Sequence, residues 1–204
     1  MKKVGFFGGT YDPIHFGHLN LAVELFEKKI LDEILFAPTS LSPLRTEAPP
    51  LSSRHRAKMV ELAIDDHPYF TLFSEEINGE EPAFTIDTIM RLKTHHSKLK
   101  FFLILGEDTL LDFDRWKEPD RLIREVSPLI GSRSKYNILD KIDSLSLLEE
   151  TKKTLTNGLV ETTCFDISGT EIRKRLSKGL YCYHLVPRKV LDYIYENQLY
   201  FCAV

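Results

Sequence analysis

The stretch Val4-Gly5-Phe6-Phe7-Gly8-Gly9-Thr10-Tyr11-Asp12-Pro13-Ile14-His15-Phe16-Gly17-His18 decides how the 204-residue chain is read. A short apolar run closed by paired glycines reads as a buried strand entering a tight loop. From Gly17 onward, Leu19, Ala22, Val23, Phe26 and Ile30 recur at helical spacing, so a helix follows. Strand, glycine loop and helix form a βα unit. Such a loop lets a phosphate approach the backbone, and the helix behind it supplies amide donors and the positive end of a dipole.

Working outward, further strands are predicted at Ile34 to Ala37, Phe70 to Phe73, Phe101 to Leu105, Pro128 to Ile130 and Val160 to Phe165. Helical patterns lie between them at Arg56–Ile64, Ile86–Leu92 and Leu145–Leu155, and a long polar, proline-rich loop runs from Thr39 to Ser53. Alternation of this kind gives an α/β fold, a Rossmann-like doubly wound parallel sheet. Ser168–Leu176 and Arg188–Ile194 read as a C-terminal helical segment, a tail over about 168–204 packed on a single domain, 1–204. Ligands of open parallel sheets sit beyond the carboxyl ends of the strands, so the loops after Phe7, Ala37, Leu105 and Phe165 should share one rim.

Composition narrows the function classes. Hydrophobic residues make up 43% and charged residues 28%, a globular balance. A net charge of −3 gives no general attraction to nucleic acid or to an anionic membrane. Three cysteines without CxxC spacing argue against a disulfide framework or a zinc knuckle and fit a cytoplasmic setting. No apolar run approaches the length of a membrane span.

His15 and His18, three residues apart, can aim two imidazoles at one anion; the plainer reading is a capped turn. A metal pair lacks a nearby third ligand, so no metal site is expected. At the other end, Ser168-Gly169-Thr170-Glu171-Ile172-Arg173 begins as a capping box, Ser168 to Glu171. Arg173 is harder to explain structurally, because a cation in the early turns of a helix opposes the dipole unless an anion binds there. A third group, Gly106-Glu107-Asp108 followed by Trp116, falls on the same rim.

Taken together, these strings resemble the nucleotidyltransferase superfamily. The first is similar to G-x-[FY]-[DT]-P-x-H-x-G-H and the second to S-x-T-x-x-R. Asp108 with Trp116, the segment Phe84-Thr85-Ile86-Asp87-Thr88 and the run Tyr183-His184-Leu185-Val186-Pro187 through Tyr200 resemble bacterial nicotinate (nicotinamide) mononucleotide adenylyltransferases. The resemblance implies adenylyl transfer from ATP to nicotinate mononucleotide, with Mg²⁺ accompanying ATP. It assigns catalysis to His15, His18 and Arg173; as a rim histidine, His18 is expected to carry little packing. ATP binding falls to Gly8, Gly9, Thr10, Asp108, Ser168 and Thr170, and substrate binding to Arg45, Phe84, Thr85 and Trp116.

Three departures stand out. Leu44, in Ser42-Pro43-Leu44-Arg45, replaces the usual loop histidine; Gly131-Ser132-Arg133-Ser134 lacks the usual proline and glycine; and Gly169 stands where Ser is common. Two rivals stay open: another adenylyl- or cytidylyltransferase, such as one acting on phosphopantetheine or glycerol phosphate, and a non-catalytic adenine-nucleotide sensor or nucleic-acid-binding regulator built on the same fold. Homo-oligomerisation is likewise left open.

Overall fold

The computed structural model describes residues 1–28, 30–40, 51–77, 83–132, 135–163 and 165–201, with residues 135–137 described in backbone alone. Six strands form one all-parallel sheet: β1 Lys2–Gly9, β2 Glu33–Pro38, β3 Phe70–Leu72, β4 Leu99–Gly106, β5 Ser127–Ser132 and β6 Leu159–Glu161. Their order is β3-β2-β1-β4-β5-β6. The order reverses between β1 and β4, so their carboxyl ends open onto the crevice expected of a doubly wound sheet.

Side chains alternate across the pleat, and the sheet is buried on both faces. On β4, Phe102 and Ile104 join one core with Phe7, Ile34 and Phe36; Phe101, Leu103 and Leu105 join the other with Val4, Phe6 and Ile130. The first core is completed by α1 Phe16–Glu27, α2 Ser53–Ile64, α8 Gly169–Leu176 and α9 Arg188–Glu196. The second is completed by α3 Thr85–His95, the short α4 Glu107–Leu110, α5 Pro119–Glu125, α6 Lys135–Ser144 and α7 Glu149–Asn157. The C-terminal helices thus share a core with α1 through Ile172, Leu176, Val190, Leu191 and Ile194.

One predicted helix is displaced. Leu145–Leu148 lies outside both neighbouring helices, and α7 begins only at Glu149. Carboxylates from elsewhere hold this link: Asp114 accepts from the Ser146 amide, and Asp120 accepts from the Leu148 amide and the Thr151 hydroxyl. Leu145 is nevertheless buried, which is why its spacing looked helical. The strand read as Val160–Phe165 is also shorter, ending at Glu161.

Arg56 of α2 is completely buried. Its guanidinium donates to the carbonyls of Thr10 at 2.6 Å, Ser40 at 2.9 Å and Leu51 at 3.2 Å. It therefore joins the loop after β1, the exit from β2 and the approach to α2. Each buried carbonyl left without its donor costs about 1–3 kcal/mol. Arg56→Met should lower stability by at least about 3 kcal/mol and Tm by about 6–12 °C for a chain of this size. A thermal melt unchanged within 2 °C would contradict this role.

Candidate active site

A cleft of about 940 Å³ opens at the carboxyl ends of the strands. It is lined by four segments at or beyond strand ends: Gly8 to Pro13 at the end of β1, Thr39 after β2, Gly106 to Thr109 with Leu111 and Asp112 at the end of β4, and Phe165 to Thr170 after β6. The structure thus brings the loops predicted to share a rim onto one cavity. Of the residues singled out in the sequence, Gly8, Gly9, Thr10, His15, His18, Phe84, Thr85, Asp108, Trp116, Ser168, Thr170 and Arg173 all line it. Arg45, with Leu44, lies outside the described residues.

The first loop is held tightly. Tyr11 takes a left-handed backbone conformation, φ 50°. It is buried, and its hydroxyl donates to the Phe7 carbonyl at 2.6 Å. Its ring meets those of Phe7, Phe36 and His18 edge-on or tilted. A residue held in that region by so many contacts is over-determined by its surroundings, as is common where a backbone is shaped for a ligand.

His15 caps the N-terminus of α1, and His18 sits one turn in. Their rings stack with centroids 3.7 Å apart. The backbone N–H of His15 donates to Nδ1 of His18 at 3.3 Å, which leaves the His18 proton on Nε2 in the neutral ring. Burial lowers the His15 imidazole to about 4, and burial together with the neighbouring His15 pulls His18 well below the usual value. Near pH 7 both rings are neutral, acting as N–H donors rather than cations. The expectation that His18 carries little packing is corrected: its ring meets those of Tyr11 and Phe7 edge-on, and the neighbouring His15 is only 7% exposed.

Arg173 meets this loop from the other end of the chain. Its Nη1 donates to the Asp12 carbonyl at 2.7 Å, and its Nη2 donates to the Thr170 hydroxyl at 3.2 Å. The dipole reading of Arg173 is also corrected. Helix α8 has only eight residues and Arg173 falls in its last turn, where a cation is favourable. The case for a functional Arg173 rests on its contacts instead. Ser168 caps α8, accepting from the Glu171 amide at 3.2 Å, as the plainer reading had it. Gly169 is explained by space: a Cβ there would stand 3.0 Å from the Asp12 carbonyl oxygen. Similarly, a Cβ on Gly106 would meet Oδ1 of Asp108 at 2.6 Å, so the Gly-x-Asp spacing lets that carboxylate fold back over the end of β4.

Phe84 caps α3, and Thr85 opens it, where a first turn has N–H groups without intrahelical acceptors. Trp116 is half-buried, its ring tilted on the buried Phe113 with centroids 5.1 Å apart. An aromatic wall and a helix N-terminus therefore occur in the same cleft as the phosphate-type donors.

Sequence reasoning missed several positioning groups. Asp12 is buried, and its Oδ1 accepts from the Tyr200 hydroxyl at 2.5 Å, so the C-terminal end of the chain is tied to the first loop. Glu76, also buried, accepts from the Thr88 hydroxyl at 2.6 Å beneath α3, and burial raises its carboxyl above the usual range. Tyr200 and Asp12 stood in quoted strings, but nothing in their spacing paired them.

Residues 6–175 match the cytidylyltransferase-like family. The probable nicotinate-nucleotide adenylyltransferase of Dictyoglomus turgidum is 38% identical over 201 residues, covering 97% of this chain and 95% of that protein. The protein of the same description from Bacillus pumilus is 36% identical over 200 residues, covering 98% and 99%. The solved Plasmodium falciparum nicotinic acid mononucleotide adenylyltransferase complexed with NaAD superposes with a TM-score of 0.75 over 98% of each chain; at 21% identity this is a likeness of fold. Two full-length relatives above 30% identity and a family match over most of the sequence are decisive: the chain belongs to the cytidylyltransferase-like family, among its nicotinate-nucleotide adenylyltransferases.

Proposed function

We propose that this chain transfers the adenylyl group of ATP to nicotinate mononucleotide, giving nicotinate adenine dinucleotide and pyrophosphate on the route to NAD. The observation that carries the reading is the meeting, in one cleft, of both phosphate-type motifs with Phe84, Thr85 and Trp116. Relatives named for this activity across their whole length support it.

The chemistry follows from the residues. A phosphate monoester has its second pKa near 6, so the attacking phosphate is already largely ionised at pH 7 and needs no strong base. One of its oxygens bonds to the α-phosphorus of ATP as the bond to the β-phosphate bridge breaks, and pyrophosphate leaves with that electron pair. Catalysis is then positioning and charge stabilisation. Gly8, Gly9, Thr10, Ser168 and Thr170 hold ATP phosphates, while His18 Nε2–H, His15 and the remaining N–H groups of Arg173 meet the charge that develops. Asp108 takes ribose hydroxyls, Trp116 and Phe84 the pyridine ring, Thr85 its carboxylate, and Arg45 a substrate phosphate.

Mg²⁺ neutralises triphosphate charge when bound. The described residues offer no group of three or more ligating side chains, so the ion would be carried by the phosphates. Asp12 lines the cleft; its Oδ2 is buried, without a hydrogen-bond partner and 3.9 Å from Nη1 of Arg173, and would accept from a water of the ion's shell. No described helix is long and apolar enough to cross a membrane. We assign the enzyme to the cytoplasm, acting on these small molecules without nucleic acid.

Purified protein with ATP and Mg²⁺ should release pyrophosphate far faster with nicotinate mononucleotide than with phosphopantetheine, because Trp116 offers a flat apolar face to a pyridine ring. Comparable turnover of both would overturn the assignment. A second test separates the two kinds of residue. His18→Ala should lower kcat by about 10²–10³, the scale of losing one charge-stabilising donor. Trp116→Ala should raise KM for the mononucleotide about ten-fold, with KM for ATP unchanged. Because His18 also packs, melts of each variant must show a folded protein at the assay temperature. Near-wild-type kcat in His18→Ala would make the histidines structural.

A further inference from the structure

The neighbour of Trp116 brings a charge to the aromatic end of the cleft. Lys117 lines the cleft together with Phe84, Thr85 and Trp116. Its Nζ lies 4.7 Å from the centre of the Phe84 ring and 2.8 Å from Oδ2 of Asp87. Lys117 and Phe84 line the cleft and Asp87 does not, so the ammonium bridges a ring of the cleft wall and a carboxylate outside it. Both side chains are well exposed, 40% for Lys117 and 55% for Asp87, and an ion pair of that kind is weak and exchangeable. Arg115 also lines the cleft, but it pairs at 2.9 Å with Asp112, a carboxylate that lines it too, so its charge is offset locally.

This placement bears on a choice that the backbone amides at the start of α3 bias but do not complete. The amides at the start of α3 can donate to a carboxylate oxygen or to a carboxamide oxygen, since both accept hydrogen bonds. A full positive charge separates the two, because the carboxylate on the ring is anionic and the carboxamide is neutral. Resting on the functional reading above, we infer that Lys117 is a specificity-determining residue. Its ammonium, held over Phe84 and released from Asp87, sets the preference for the acid form of the mononucleotide over the amide.

The experiment measures kcat/KM for nicotinate mononucleotide and for nicotinamide mononucleotide, at saturating ATP and Mg²⁺, in wild type, Lys117→Gln, Lys117→Arg and Asp87→Asn. The wild type should prefer the acid, and that preference should fall as salt rises. Lys117→Gln should lower the acid-to-amide ratio about five- to ten-fold, through KM for the acid, and should abolish its salt dependence. Lys117→Arg should retain most of the ratio, and Asp87→Asn should raise it by freeing the ammonium. An unchanged ratio in Lys117→Gln, or an equal loss on both substrates, would overturn the inference while leaving the functional reading intact. Failure of the wild type to turn over either mononucleotide would overturn both.

Discussion

The candidate site depends on one close approach, that of Arg173 to the backbone of Asp12. A guanidinium hydrogen bond of 2.7 Å joins segments 161 residues apart. Everything around it makes the approach feasible. Gly169 removes the one carbon that would crowd the Asp12 carbonyl, and Ser168 fixes where α8 begins. Tyr200 reaches back to hold the Asp12 side chain, while Arg56 grips Thr10 from the α2 side. The first loop is thus clamped by side chains from α2, α8 and the C-terminal end of the chain. Donors fixed before the ligand arrives need not reorganise during the reaction, and that is where most of the rate of a positioning enzyme originates.

The charge distribution complements that rigidity. Two neutral, stacked imidazoles at the start of α1 offer donors without a repelling pair of cations, and the fixed positive charge comes from Arg173 across the cleft. Such neutral donors suit a reaction whose nucleophile needs no activation.

Much of this was legible in the sequence because local pattern and site coincide there. The run Val4–Phe7 and the paired glycines Gly8 and Gly9 specify strand and loop with no reference to the rest of the chain. Phe84 was placed in the cleft by resemblance alone, whereas Trp116 also followed from its position after β4 on the expected rim. The illegible part is where one segment satisfies another. Arg56 reads as an ordinary polar residue of a helix; buried, it is met by the carbonyls of Thr10, Ser40 and Leu51, which are far from one another in sequence or far from Arg56. Leu145–Leu148 reads as helix until Asp114 and Asp120, distant in sequence, capture its amides. Arg173 was singled out for a dipole conflict that its short helix does not impose, yet its true contact, with Asp12, is the more informative one.

The central claim is that the two substrates react directly with each other in a rigid cleft, with no group of the protein entering covalently. The stereochemical course at phosphorus tests this most directly. A single diastereomer of ATP carrying sulfur on the α-phosphorus would be turned over with nicotinate mononucleotide, and the configuration of the thio-substituted dinucleotide determined by phosphorus NMR. One in-line displacement predicts inversion at the α-phosphorus. Retention would require two displacements through an adenylylated side chain, and would contradict a site in which His15, His18 and Arg173 only position and stabilise.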